Sequence, residues 1–211
     1  MSTKSKTSSF VSAMGALLEI VVTLVAMVKK MGGEVGECFY LLSRKENEGE
    51  LEAIAARMVE LFKRTKRMAE NTFRLVVNYN QSLADMVSTG KYDWVNSDIT
   101  EKHFPNTRRG KEEVSLHLVH FNRNIGSEDA LRELDKMGFR PATIEELLAF
   151  GAQNPEEQRK YPIVALGSVW RHLRGGRCVP SLWLGGAGRR LGLGWWGVDW
   201  HSHCRFAAVS K

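Results

Sequence analysis

Three histidines and two cysteines in the last fifth of the chain are the residues best equipped for chemistry. His201, His203 and Cys204 stand within four positions, with His172 and Cys178 upstream. Both residue types bind zinc, but an HxHC run lacks the loop-separated ligand pairs from which structural zinc sites are built. No metal or other cofactor is expected. A Cys–His nucleophile needs a third group to orient its base. Asp199 is the only carboxylate after residue 165, and nothing else supports that role. The glycine-rich GGAGRRLGLG at 185–194 forms neither a GxGxxG nor a Walker pattern, and no helix pattern follows it. The expectation is therefore a chain without catalysis. The stretch does supply Arg and Trp among Gly and Ser. Those types anchor protein-binding hot spots and antibody paratopes, and they also hold single-stranded nucleic acid by charge and stacking.

The composition around these residues is unusual. Residues 165–210 contain no Asn, Lys, Ile, Thr, Met, Glu, Gln or Tyr, although those types make up 69 of the first 164 residues. At that frequency about 19 would be expected in the stretch. Lost hydrophobicity does not explain the gap, because Ile and Met vanish along with Lys and Glu. The genetic code does: codons for the missing types contain adenine. The residues that remain are mostly Gly, Arg, Leu, Trp, Val, Ser, Ala, Cys and His, which need little or none. Residues 165–210 read as DNA from which adenine has been removed.

The charge follows the same boundary. The chain carries +6 overall; residues 1–164 hold 23 basic and 23 acidic residues, so the whole excess lies after residue 164. At 211 residues with 43% hydrophobic content, the chain suits one or two globular domains. Three cysteines without a CxxC predict free thiols and a reducing, cytoplasmic compartment. The N-terminus shows no clear signal peptide.

The elements that must position the tail are read in order. Residues 10–30 are the most apolar stretch. Ser12, Ala16, Glu19, Thr23, Ala26 and Lys30 recur along one helical stripe, and a Glu in mid-run is costly in lipid. A bundle helix is expected there rather than a membrane span, with membrane association through 10–30 left open. After a break at Gly32, Gly33 and Gly36, apolar residues from Leu51 to Met86 predict one long helix over about 48–88. The KRTKR run at 63–67 reads as a solvated helix face. Residues 1–90 thus form a helical hairpin expected to self-associate. Residues 91–110 read as a linker, and 111–211 as a second domain. In that domain a strand is expected at 114–121 and a helix from Ser127, its N-cap, to Met137 with Gly138 ending it. A second helix opens on a capping box, Thr143 to Glu146. A strand at 162–169 and three more in the tail complete the domain. The overall class is α+β.

Within the tail, Leu182, Leu184, Leu191, Leu193 and Trp195 share one strand face, and Ser181, Trp183, Arg190, Gly192, Gly194 and Trp196 fall on the other. The first set, with Phe206, is expected to be core. The second set, where the odd composition concentrates, is expected to be exposed and free.

RPATIEELLAFG, YPIVALGSVWR and the closing CRFAAVSK resemble the variable proteins of diversity-generating retroelements, over about residues 110–211. In that family a reverse transcriptase copies a template repeat with errors at adenines and writes the copy into the 3′ end of the target gene. The resemblance implies a C-type-lectin-type fold, two helices on a small, mostly antiparallel sheet, with a diversified ligand-binding face and no catalysis. The face it implies comprises His172, Arg174, Arg177, Cys178, Ser181, Trp183, Arg190, Gly192, Gly194, Trp196, Val198, His201 and His203. The ligand implied is a macromolecule, most naturally a protein, bound by a homo-oligomer assembled through the N-terminal helices. The alternative is a nucleic-acid-binding protein using the Arg/Trp-rich tail. A third class, an enzyme akin to the sulfatase-modifying oxygenases that share the fold, finds no catalytic constellation here. Family templates rich in Asn codons do not yield Trp, so Trp170, Trp195 and Trp200 read as fixed scaffold and Trp183 and Trp196 as ambiguous. The helical N-terminus departs from the family pattern.

Overall fold

The computed structural model describes residues 18–211, apart from Arg174 and Ala187. The chain divides into two compact units, Met1–Arg64 and Thr65–Lys211. The division falls well before the 91–110 segment that the sequence marks as a linker.

The first unit contains helical residues 18–30 (α1), α2 (Val35–Ser43), a 3-10 turn (Lys45–Asn47) and the start of α3 (Glu48–Glu70). Ser12 and Ala16 of the expected stripe lie outside the described residues. No described residue between 18 and 61 is buried. Leu51, Ile54, Met58 and Leu61 repeat at helical spacing along α3 and are all exposed. Among the described residues no helix is long and apolar enough to cross a membrane.

The second unit is α+β. Its strands are β1 (Thr72–Asn78), β2 (Trp94–Val95), β3 (Lys111–Val119), β4 (Phe139–Pro141), β5 (Ile163–Val164), β6 (Trp170–Arg171), β7 (Arg177–Gly185), β8 (Gly188–Trp195) and β9 (Arg205–Ser210). They form one sheet in the order β1-β3-β9-β5-β7-β8-β2, with β4 also on β9 and β6 also on β7. Pairing is antiparallel except β2 with β8 and β5 with β9. Helices α4 (Leu83–Gly90), α5 (Ser127–Lys136), α6 (Ile144–Gln153) and the short α7 (Glu157–Lys160) complete it.

The long helix expected over 48–88 is corrected. It stops at Glu70, and TFRLVVN is the edge strand β1. Leu75 and Val77 are buried and alternate with exposed Arg74 and Val76, so a period of two wins over the 3–4 spacing. Residues 91–110 are also corrected: Ile99 and Phe104 sit in the main core, which ties the segment down. The strand expected at 162–169 is only Ile163–Val164, followed by a turn.

The sheet is covered on both faces. One core joins Leu75, Leu116, Leu182 and Leu191 to Met86 of α4 and Leu148 of α6. The other joins Val179, Phe206, Trp196 and Trp200 to Ala130 and Leu134 of α5. Gly138 at φ +80° ends α5 as expected, a conformation that favours glycine. Ser127 is not the cap; Gly126 is. Ser127 is instead buried, donating to the Trp196 carbonyl (2.8 Å) and accepting from Trp200 Nε1 (2.9 Å).

Glu146 fixes the start of α6. Its fully buried carboxylate accepts from Thr143 N (2.8 Å), Tyr79 OH (3.0 Å), Arg108 (3.1 Å) and both terminal nitrogens of Arg140 (2.9 and 2.6 Å). Burial alone would raise its pKa, but the hydrogen bonds and charge from Arg140, with Thr143 N and Tyr79, outweigh it and hold the group below the usual carboxylate range. Stability from a depressed acid is complete above its unfolded pKa, about 4.3, and is lost as pH falls through the folded value. Urea melts should therefore show the wild type weakening below about pH 4.3, and Glu146→Gln weaker at neutral pH by about 3 kcal/mol with a flatter acid limb.

Candidate functional site

Residues 165–210 contribute β6 to β9 and the segment between β8 and β9. The β7–β8 register pairs Cys178 with Trp195, Pro180 with Leu193, Leu182 with Leu191 and Trp183 with Arg190. The two face sets read from the sequence are therefore on opposite sides of the sheet, as alternation requires. What differs is which positions are open.

On the Leu face Cys178, Pro180, Leu182, Arg189 and Leu191 are buried, while the large apolar residues toward the strand ends are not. Leu182 and Leu191 are fully buried, as is Phe206 on the opposite side. Leu193 is half-buried, while Leu184 (46% exposed) and Trp195 (48%) at the strand ends protrude and are not core. The opposite face, expected to be free, is largely filled. The segment 196–204 folds back so that a Cβ at Gly194 would overlap the Trp200 ring. A Cβ at Gly192 would overlap Trp183, with Trp94 close by. The glycines are slots for indoles. Ser181 (7% exposed), Cys178, Gly192 and Trp196 are buried, and Gly194 is half-buried, which corrects the open surface expected of them.

The expected face is thus split into separate places. Trp183 and Arg190, both half-buried, lie toward the β7–β8 turn, where Trp94 joins them: the two indoles are 6.2 Å apart and Arg190 lies 5.6 Å from the Trp94 ring. About five residues along β7, or roughly 17 Å, is the other end of the hairpin. There Arg171, Gly175, Gly176, Arg177, Trp195, Trp196, Gly197 and Val198 line a cavity of about 370 Å³. His201 and His203 stack on each other at 5.8 Å, exposed, in the loop before β9. Arg174 lies outside the described residues.

The cavity is a built structure. Glu128, in the first turn of α5, accepts from both Arg177 (3.1 Å) and Trp196 Nε1 (3.1 Å). The Arg177 guanidinium lies 4.4 Å over the Trp196 ring, which holds the cation against an aromatic face. On the other wall, Trp195 meets His172 edge-on at 5.7 Å, His172 meets Trp170 at 5.2 Å, and Trp170 stacks on His103 at 4.3 Å. Gly175 takes φ +89° in the turn between β6 and β7, and a side chain at Gly176 would overlap Trp195. Arg171 and Trp195 were missed as site residues. Both belong to the adenine-poor stretch, but Trp195 reads as scaffold from its place on the Leu face and because Asn-codon templates do not yield Trp.

Arg189 is the other residue the sequence left unassigned. Only 6% exposed, it donates to the carbonyls of Gly90 (2.7 Å) and Gly151 (2.6 Å) and to Gln158 Oε1 (3.1 Å). Those carbonyls lie in the last turns of α4 and α6, where helix dipoles are negative, so the cation is held with no ion pair among the described residues. The thiols of Cys178 and Cys204 are pushed up by burial. Among the described residues no group of three His, Cys, Asp or Glu side chains is placed to hold a metal ion.

Glycine replacements separate slot from surface. Trp200 is buried and anchored by Ser127, so Gly194→Ala should lower stability by about 1–3 kcal/mol through overpacking. Gly192→Ala meets Trp183, which is half-buried where Trp200 is buried, and should cost less. Thermal melts of the two variants check this order.

No family model matches this chain, and no match is found among curated proteins or solved structures.

Proposed function

We propose that this chain is a diversified ligand-binding protein, the variable protein of a diversity-generating retroelement, with a C-type-lectin-type second unit and no catalytic role. One observation carries the reading. All eight residues lining the cavity at the open end of the β7–β8 hairpin come from the adenine-poor stretch. A random composition bias would have no reason to coincide with a concave, Arg- and Trp-lined surface. The α5 and α6 helices against a mostly antiparallel sheet are compatible with the fold. The ligand is a macromolecule, most naturally a protein, since Trp and Arg in a partly enclosed pocket are its usual anchors. The exposed apolar stripe of α3 supports a homo-oligomer, which makes a modest site multivalent. Three free cysteines support a reducing, cytoplasmic location.

The DNA beside the gene tests this. A near-identical repeat carrying adenines at the codons for His172, Arg177 and Val198, next to a reverse transcriptase gene, is the expected finding. Its absence would count against the proposal. Tight DNA binding that falls steeply with salt would favour the nucleic-acid alternative instead.

A further inference from the structure

We infer that the cavity between Arg171, Arg177 and the Trp195–Trp196 pair takes an acidic side chain flanked by an aromatic one on a protein ligand. The inference rests on the ligand-binding reading above and narrows the chemistry of its site. The first ground is charge. Arg171 is exposed and makes no ion pair with another described residue, and Arg177 shares its one acid, Glu128, with the Trp196 indole. Two guanidiniums against one carboxylate leave the cavity positive, and guanidinium forks match carboxylates with paired hydrogen bonds. The second ground is shape. Trp195 is half-exposed, Trp196 forms a wall, and Gly175, Gly176 and Gly197 leave the space between them open. A cavity of about 370 Å³ lies at the small end of ligand pockets and suits one or two side chains. Indole faces beside that positive edge favour a flat ring next to the acid.

The same groups could hold a phosphate and a base. The geometry favours a peptide because single strands are bound along a continuous basic groove that follows several phosphates. Here the second Arg–Trp patch, at Arg190 and Trp94, is roughly 17 Å away along the strand.

The probe is the blocked dipeptide acetyl-glutamyl-phenylalanine amide, titrated calorimetrically into the full-length protein. Its lysyl-phenylalanine and glutamyl-glycine counterparts and a twelve-residue oligothymidylate are the comparison arms. The glutamyl-phenylalanine peptide should bind best of the four. Arg171→Ser should weaken it about tenfold, the loss of a charged hydrogen bond, and Arg171→Glu should reverse the preference toward the lysyl peptide. Because Arg171 has no partner among the described residues, its variants should melt like the wild type, and Arg109→Ser serves as a remote control. Equal binding of the lysyl peptide, unchanged affinity in Arg171→Ser, or tighter binding of the oligonucleotide would each overturn the inference. The two peptide outcomes leave the DNA repeat beside the gene untouched, so they separate failure here from failure of the proposed function; tighter oligonucleotide binding would count against both.

Discussion

Arg189→Ala should cost about 3–5 kcal/mol of stability, while Arg190→Ser next to it should cost about half a kcal/mol. The two arginines are neighbours with the same chemistry and opposite surroundings. Truncating Arg189 strands the carbonyls of Gly90 and Gly151 and the amide oxygen of Gln158, all buried, and opens a cavity between α4, α6 and β8. Arg190 is half-buried beside Trp94, and solvent can take its place. Such a loss is a large fraction of a small domain's total stability. Chemical denaturation of the two variants checks the contrast. Equal losses would mean that the β8 register is shifted and that the open face has been misplaced. If the stretch is diversified as proposed, the two neighbouring codons should behave differently. The codon for Arg189 belongs to the scaffold and should stay constant between copies of the gene, while that for Arg190 is free to change.

The full-length chain should sediment as an oligomer, and Ile54→Glu with Met58→Glu should reduce it to monomer without shifting the melt of the second unit. The reason is the absence of any buried residue among the described residues 18–61. Leu51, Ile54, Met58 and Leu61 repeat at gaps of three and four along α3, the spacing of a helix–helix seam. Each is about half exposed, so covering it against another copy should contribute about 1 kcal/mol or more. All four stay exposed among the described residues. The second unit has its own cores and should remain folded in the double variant. A full-length chain that is monomeric at all concentrations in analytical ultracentrifugation would contradict this.

Much of the second unit was legible because its signals are local. Glu146 sits three residues after Thr143 and bonds back to its amide, as a capping box requires, and Gly138 ends α5 in a left-handed turn. The two-residue period placed Leu182 with Leu191 and Trp183 with Arg190 on the right sides. It also placed Arg189 on the Leu191 side, a hint at its burial. The failures came from distance along the chain. That Gly194 receives the Trp200 ring and Gly192 is roofed by Trp183 and Trp94 depends on contacts that no period reveals. The open face rested on alternation and odd composition, whereas the small residues on it admit large rings from elsewhere. β1 was missed because Phe73, Val76, Tyr79, Leu83 and Met86 continue a helical spacing by coincidence. The alternation of Arg74, Val76 and Asn78 with Leu75, Val77 and Tyr79 was the better signal. For the candidate site, composition marks the stretch, and only the fold shows that Arg171 and Trp195 line the cavity while Cys178 and Ser181 do not.

On the function proposed above, residues 165–210 would be rewritten at the surface and held constant in the core. The most direct test is to sequence this gene from many members of one population and map the substitutions onto the structure. Changes should concentrate at Arg171, His172, Arg177, Arg190, Val198, His201 and His203, matching adenines in a neighbouring repeat, with Leu182, Arg189, Leu191, Gly194 and Trp200 constant. Substitutions scattered evenly over both groups, or no variation beyond that of residues 111–164, would contradict it.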